Sequence, residues 1–358
     1  MTDAQPVKAQ TAVSGRVPWL DGWRGLAIIT VLAGHFGGIV WPAATELGGY
    51  GVELFFVLSG QLMAHILFID RHPLPDFFRR RFARIYPALL AYVLVFVAAD
   101  LAALALHRKP LTAVWDVVGA LTFTINYLMA FTGMTSLGFA HIWSVSVEEH
   151  CYALLALLAL LVRRRVRVAC WLIGAIGCLA LVNGARLWLG AGPNPSVHDI
   201  FWRSDVRLAP VFISAALCLV LNRYPPGALL RRMLGLWAPL SIVLGAALSF
   251  SDDILMRYTL TAPMLALGLN GLAYAPEAFR RSLSLPWLTG IGLRSYSLYL
   301  WQQPFYRVAG HTPKLAPLMI LGLLVVWLVS YRFIETPARR WINGLGARGA
   351  GRAQPVAA

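Results

Sequence analysis

The sequence predicts an all-α, polytopic membrane protein of about ten transmembrane helices with both termini cytoplasmic, and three observations predict it. First, 58% of the 358 residues are hydrophobic and only 13% are charged, which leaves too little polar surface to cover a water-soluble fold of this size. Second, apolar stretches of about 15 to 22 residues recur from Gly25 almost to Glu335, each long enough or nearly so to cross ~30 Å of hydrocarbon. Third, the arginines behind the net charge of +15 come in short clusters between those stretches, the pattern of cytoplasmic loops facing anionic lipid rather than of a nucleic-acid surface.

Residues 1–19 are polar and lack an apolar signal core, so they read as a cytoplasmic tail, with the first span as its own targeting signal. Spans follow at 23–41, 51–69, 86–106, 147–162, 168–189, 208–221, 234–250, 254–274, 287–308 and 316–334. The stretch 114–131 carries Asp116, Asn126 and several threonines, each costly against lipid. Treating it as interfacial or re-entrant puts the arginine clusters at 79–84, 163–167, 231–232, 280–281 and 339–340 on the cytoplasmic side, with Arg108 and Lys109 as the exception. The transmembrane domain then covers 20–341, and the Gly-, Ala- and Arg-rich stretch 342–358 reads as a disordered tail. Cys151, Cys170, Cys178 and Cys218 lie in or beside apolar runs without a CxxC pair and read as buried packing residues, so no metal site is expected.

Polar residues inside such helices need a reason. Arg24 and His35 on the first span are eleven residues apart, so they share a face with ~16 Å between them. That spacing puts Arg24 near the inner boundary, as a phosphate ligand or a plain anchor, and His35 near mid-membrane, as a proton-transfer group or a hydrogen-bonded packing residue. Glu53 near the outer end of the second span either orients His35 or sits at the interface. Ser59 and Gly60 point to close helix packing. Arg81 and Arg84, three residues apart, form a fork suited to phosphate or pyrophosphate, with lipid headgroups as the other reading.

The segment HIWSVSVEEHCY gathers His141, Trp143, Ser144, Ser146, Glu148, Glu149 and His150 at an expected outer boundary, a composition suited to sugar hydroxyls and proton transfer. On the 287–308 span, Ser295, Tyr299 and Gln302 share one stripe and Tyr296, Tyr299 and Gln303 its neighbour, facing a cavity or another helix, and Pro304 should kink it. Glu335 closes the last span, with a local salt bridge to Arg339 as its plain role.

Taken in order, LDGWRGLAIITVLAGHF, GVELFFVLSG, FFRRRFARIYP, HIWSVSVEEHCY, SYSLYLWQQP and ETPARRW resemble the signature segments of the acyltransferase-3 family. These are membrane enzymes that acylate cell-envelope polysaccharides, lipopolysaccharide, Nod factors and some macrolides. By that resemblance the arginine-then-histidine motif falls on Arg24 and His35, the paired arginines on Arg81 and Arg84, the double acid on Glu148 and Glu149, and the late acid on Glu335. Family members commonly carry His where Gln302 stands, Gln where His150 stands and Asp where Glu53 stands. Long members add an extracytoplasmic esterase-like domain, so this sequence reads as a stand-alone form.

The resemblance implies transfer of an acyl group, acetyl first, from acyl-CoA to a hydroxyl of a sugar, polysaccharide or glycoconjugate in the bacterial inner membrane, with no permanently bound cofactor. The expected roles are His35, Glu148 and Glu149 in catalysis, Arg24, Arg81 and Arg84 on the CoA phosphates, and Glu53, Trp143, Ser146, Tyr299 and Gln303 on the acceptor. In this scheme the arginines lie inward, the Glu148 loop outward and His35 between them, as general base or as a transiently acylated carrier. The rival from another class is a transporter or flippase of a lipid-linked sugar, against which the sequence shows no inverted repeat. Acyl chain length, acceptor and oligomeric state are not encoded in any motif.

Overall fold

A computed structural model describes residues 17–133, 138–192 and 195–350, with side chains described to residue 345. In chain order its helices are α1 (Pro18–Gly38), α2 (Glu46–Met63, continued by a π turn over Ala64–Ile69), α3 (Leu74–Ala105), α4 (Val114–Leu121), α5 (Ile125–Thr132), α6 (Trp143–Val162) and α7 (Val166–Gly190). There follow α8 (Val197–Phe201), α9 (Ser204–Arg207), α10 (Ala209–Arg223), α11 (Ala228–Ser249), α12 (Ile254–Gly271), α13 (Glu277–Leu283) and α14 (Pro286–Leu293). The last three are α15 (Ser295–His311), α16 (Ala316–Val329) and, after a π turn over Ser330–Glu335, α17 (Thr336–Ala350). No strand occurs among the described residues.

Seven of these helical stretches are long and apolar enough to cross a membrane: Pro42–Ile69, Leu74–Ala105, Ala140–Val162, Val166–Gly190, Ser204–Arg223, Ala228–Ser249 and Pro313–Leu345. Their outward faces are apolar: Trp171, Val182 and Leu189 on α7, and Leu318, Leu321, Val325 and Leu328 on α16, are all exposed. A water-soluble surface rarely carries continuous apolar patches of this kind, whereas hydrocarbon accepts them. Cys178 is also exposed on α7, so it is not the buried packing residue that its apolar neighbours suggested.

One element follows the sequence reading and two depart from it. The stretch 114–131 forms two eight-residue helices, α4 and α5, each ~12 Å long and far short of a crossing. They are separated at Phe123, whose φ is 57°, and their polar residues are used internally, with Asp116 and Asn126 buried. The expected 287–308 span is broken at Arg294, where α14 ends and α15 begins. The final helix continues to Ala350, past Trp341, while 351–358 lie outside the described residues.

The chain divides into two compact units, one formed by 1–62, 170–178 and 209–295, the other by 63–169, 179–208 and 296–358. The core of the first is Trp23, Ala27, Leu54, Val57, Leu265, Leu269, Leu272 and their neighbours. Its helices approach closely at glycines. A Cβ on Gly60 would overlap the Val211 carbonyl, and one on Gly51 would meet Val31 and the Ala27 carbonyl. The buried polar ends are satisfied across helices: Trp23 Nε1 donates to the Leu54 carbonyl (2.9 Å) and Tyr50 Oη to that of Ile242 (2.6 Å). In the second unit, α3, the last π turn and α17 pack together, and side chains of α3 reach α6 and α15. At 32 residues α3 is ~48 Å long, more than hydrocarbon requires. Its apolar stretch after Pro87 is enough to cross, which leaves the arginine-rich first turns to make polar contacts.

Candidate active site

In the first unit, Arg24 lies nearly two turns from the start of α1 and donates to the buried Asp21 carboxylate at 2.8 Å. The i,i+3 spacing makes that pair. His35 stands in the last turn of α1, about 4–5 Å from the helix end at Gly38, rather than halfway along a span. Its ring is half-buried and lies against Gly48 of α2, where a side chain would touch Nε2. Glu53 is buried two turns inside α2, about 10 Å from the helix start. It is buried rather than exposed, and Gly48 lies five positions before it on the same helix.

The second unit holds the densest polar cluster. Arg81 on α3 donates Nε to Glu149 Oε1 at 2.7 Å and a terminal nitrogen to Glu148 Oε2 at 3.1 Å, both acids on α6. Its guanidinium also covers the Tyr152 ring at 3.8 Å. All three charged side chains are mostly buried, Arg81 to 13% exposure and each acid to 19%. Arg84, one turn on, is an electrostatic neighbour of Glu149 and Glu335. Glu335 is 1% exposed, accepts from Ser297 Oγ at 2.6 Å and has Arg339 at 3.8 Å. Tyr296 on α15 donates to the Ile85 carbonyl at 3.0 Å, which ties α15 to the arginine-bearing part of α3. Arg81, Arg84 and Arg339 thus balance Glu148, Glu149 and Glu335 in formal charge, as a low-dielectric setting requires.

This geometry overturns one expectation. Paired arginines on the inner side and a double acid on the outer side cannot lie 2.7 Å apart, so the two motifs share one depth. A guanidinium in an apolar setting is stable only beside carboxylates, and the fork of Arg81 is spent on two of them. It is therefore not an open phosphate fork.

The other expected acceptor contacts have internal partners. Trp143 is buried and stacked on Trp202, with centroids 5.1 Å apart and planes 4° apart. Ser146 is wholly buried and donates back to the Ile142 carbonyl one turn earlier (3.2 Å). Tyr299 donates to the His141 carbonyl (2.8 Å) and pairs with Ser144 Oγ (2.7 Å). Gln303 is buried beside Gln302, whose amide donates to it at 3.5 Å. Trp143 thus joins α6 to the segment between α8 and α9, and Tyr299 joins α15 to the start of α6, while Ser146 and Gln303 bond locally. Conversely, the sequence reading passed over Tyr152 and Ser297, and gave Glu335 its local bridge and the family's late-acid position but no partner on α15. Tyr152 lies three residues beyond Glu149 on the same helix face, a spacing that was visible. Nothing in the sequence near Ser297 pairs it with a residue 38 positions on.

Residues 17–346 match the model of the acyltransferase-3 family, described as an acyltransferase domain. The chain is similar to the peptidoglycan O-acetyltransferase OatA of Listeria monocytogenes, at 26% identity over 90% of this chain and 56% of that protein. It is similar to the O-acetyltransferase OatA of Staphylococcus aureus at 27% identity over 90% of this chain and 57% of the relative. The chain thus spans little more than half the length of these curated relatives. No solved structure matches it. With a family match from residue 17 to residue 346 laid over apolar helices whose arginine and acid motifs meet in one buried ionic cluster, this chain belongs to the acyltransferase-3 family.

Proposed function

We propose that this chain is a multi-pass O-acyltransferase of the bacterial cytoplasmic membrane, with about ten crossings and cytoplasmic termini, that moves an acetyl group from acyl-CoA to a sugar hydroxyl of a cell-envelope glycan. The relatives named for peptidoglycan and O-acetyl transfer support that acceptor class. The observation that carries the reading is the Glu148 and Glu149 pair, held by Arg81 yet still partly exposed. Two carboxylates fixed in this way are oriented to bind an acceptor hydroxyl at a preorganised site. Arg81 is a positioning residue. Arg24, already anchored by Asp21, is the arginine proposed for the donor phosphates.

His35, half-buried in the last turn of α1, is the general base or the transiently acylated carrier, tuned by Glu53. The test uses membrane vesicles containing the full chain, acetyl-CoA labelled in the acetyl group, and glycan strands. Label should pass to base-labile esters on the glycan, and H35A should cut transfer about 100-fold or more at equal protein level. Transfer unchanged in H35A would remove His35 from the mechanism, and no consumption of acetyl-CoA by the wild type would remove the donor.

A further inference from the structure

His150, Ser204 and Asn126 form a second polar cluster in the same unit, apart from the ionic one. His150 Nδ1 lies 2.6 Å from Ser204 Oγ. Asn126 Nδ2 donates to that oxygen at 3.0 Å and to the Trp202 carbonyl at 3.2 Å. The Trp202 oxygen can only accept, so the amide orientation of Asn126 is fixed with its NH2 toward Ser204. Ser204 Oγ accepts from Asn126 and keeps its own proton for His150 Nδ1 in the tautomer that carries hydrogen on Nε2, the arrangement in which Nδ1 is the accepting nitrogen. A serine hydroxyl donating to an imidazole nitrogen is the arrangement of an activated nucleophile and its base. The second donor on the oxygen stabilises the alkoxide as it forms.

Burial agrees with this division of labour. Ser204 is 6% exposed, shielded from water, while His150 is half-buried under the Tyr127 ring, 6.0 Å away. No hydrogen bond among the described residues engages His150 Nε2. If the cluster only satisfied a buried serine, one donor or acceptor would do, and an imidazole would be an expensive way to supply it.

We infer that Ser204 is a covalent way-station for the acyl group, with His150 as its base and Asn126 as a positioning donor; this rests on the transferase reading above. In the first step Ser204 Oγ attacks the carbonyl of an acyl thioester. The O–C bond forms, the C–S bond breaks, and the serine proton passes through His150 Nδ1 to the leaving thiolate. In the second step an acceptor hydroxyl oxygen attacks the O-acylserine carbonyl. Its proton passes through the same nitrogen to Ser204 Oγ, which regenerates the serine.

The test treats the purified full chain in detergent with p-nitrophenyl acetate, following nitrophenolate release and peptide mass. A burst of one equivalent and a gain of about 42 Da on the peptide holding Ser204 are expected. The adduct should be absent in S204A and form about 100-fold more slowly in H150Q, whose amide cannot take a proton. No adduct at Ser204, or one formed equally fast in H150Q, overturns the inference. Should S204A fail to fold, S204C replaces it. Alkylation of its thiol by iodoacetamide should slow when H150Q is added, and a rate indifferent to His150 overturns the assignment. Glycan acetylation in the same preparations separates the two readings. Normal transfer by S204A sinks the way-station and leaves the transferase, whereas an adduct without any wild-type transfer sinks the transferase and leaves Ser204 a nucleophile.

Discussion

Helices α1 and α2 come together by removing side chains, with Gly34 against Gly48 and Gly51 against Ala27 and Val31. Helices α3 and α6 come together by pairing charges, with Arg81 set between Glu148 and Glu149. In lipid neither contact gains much from the hydrophobic effect, because tails are as apolar as leucine; both depend on fit. Glycine contacts bring backbones close and tolerate no added atom. Ionic contacts tolerate repacking but not the loss of one partner. The first kind fixes where His35 stands, and the second fixes where two acids point.

The harshest way to break this contrast is Gly51→Leu. Its side chain would enter space held by Val31 and the Ala27 carbonyl, neither of which can yield without moving a helix. A cost above about 3 kcal/mol is expected, seen as loss of monodisperse protein in detergent and a large fall in Tm. A leucine variant with unchanged Tm would show that α1 and α2 are not locked at this point.

The charged contact predicts a conditional effect instead. Arg81→Met leaves two mostly buried acids facing each other and should cost about 2–3 kcal/mol, less than a fully buried pair would because each carboxylate keeps some exposure. Adding E148Q and E149Q should restore most of that stability without restoring transfer. If the triple variant unfolds as readily as R81M, charge imbalance is not what the arginine relieves.

The two contacts were not equally legible in the sequence. The helices and their apolar length follow from composition and hydropathy, and Gly60 announced close packing that it makes against Val211 and Ser214. The membrane class needed only one-dimensional information. Partnering did not. Arg81 and Glu149 are 68 residues apart, and reading each from the charge of its own neighbourhood put them on opposite sides. The arginine-rich start of α3 looks cytoplasmic because loop charge sets orientation statistically, yet single arginines follow the nearest carboxylate. Ser204 escaped notice for the same reason, since its base lies on α6 and its second donor on α5. Ser146 and Tyr299 carry groups suited to sugars and use them on the Ile142 and His141 carbonyls instead.

Between these contacts lie polar groups whose loss should be milder. Tyr299→Phe removes a hydroxyl that donates to the His141 carbonyl and pairs with Ser144. About 1–2 kcal/mol of stability should go, with KM for glycan unchanged. A rise in KM without a fall in Tm would return Tyr299 to the acceptor site and cut it from the scaffold.

The smallest effect is expected from Ser146→Ala. Ser146 is wholly buried, and its hydroxyl bonds the carbonyl one turn back, which already has its helical amide partner. Removing the hydroxyl leaves no orphaned donor and a void of one oxygen, so stability should stay within about 0.5 kcal/mol. Glycan transfer should stay within twofold, because nothing outside α6 is touched. A tenfold loss of transfer at unchanged Tm would mean that this hydroxyl rotates away from its own helix to meet the acceptor. The carboxylates two and three residues further on would then be part of a larger hydroxyl-binding face than Arg81 alone defines.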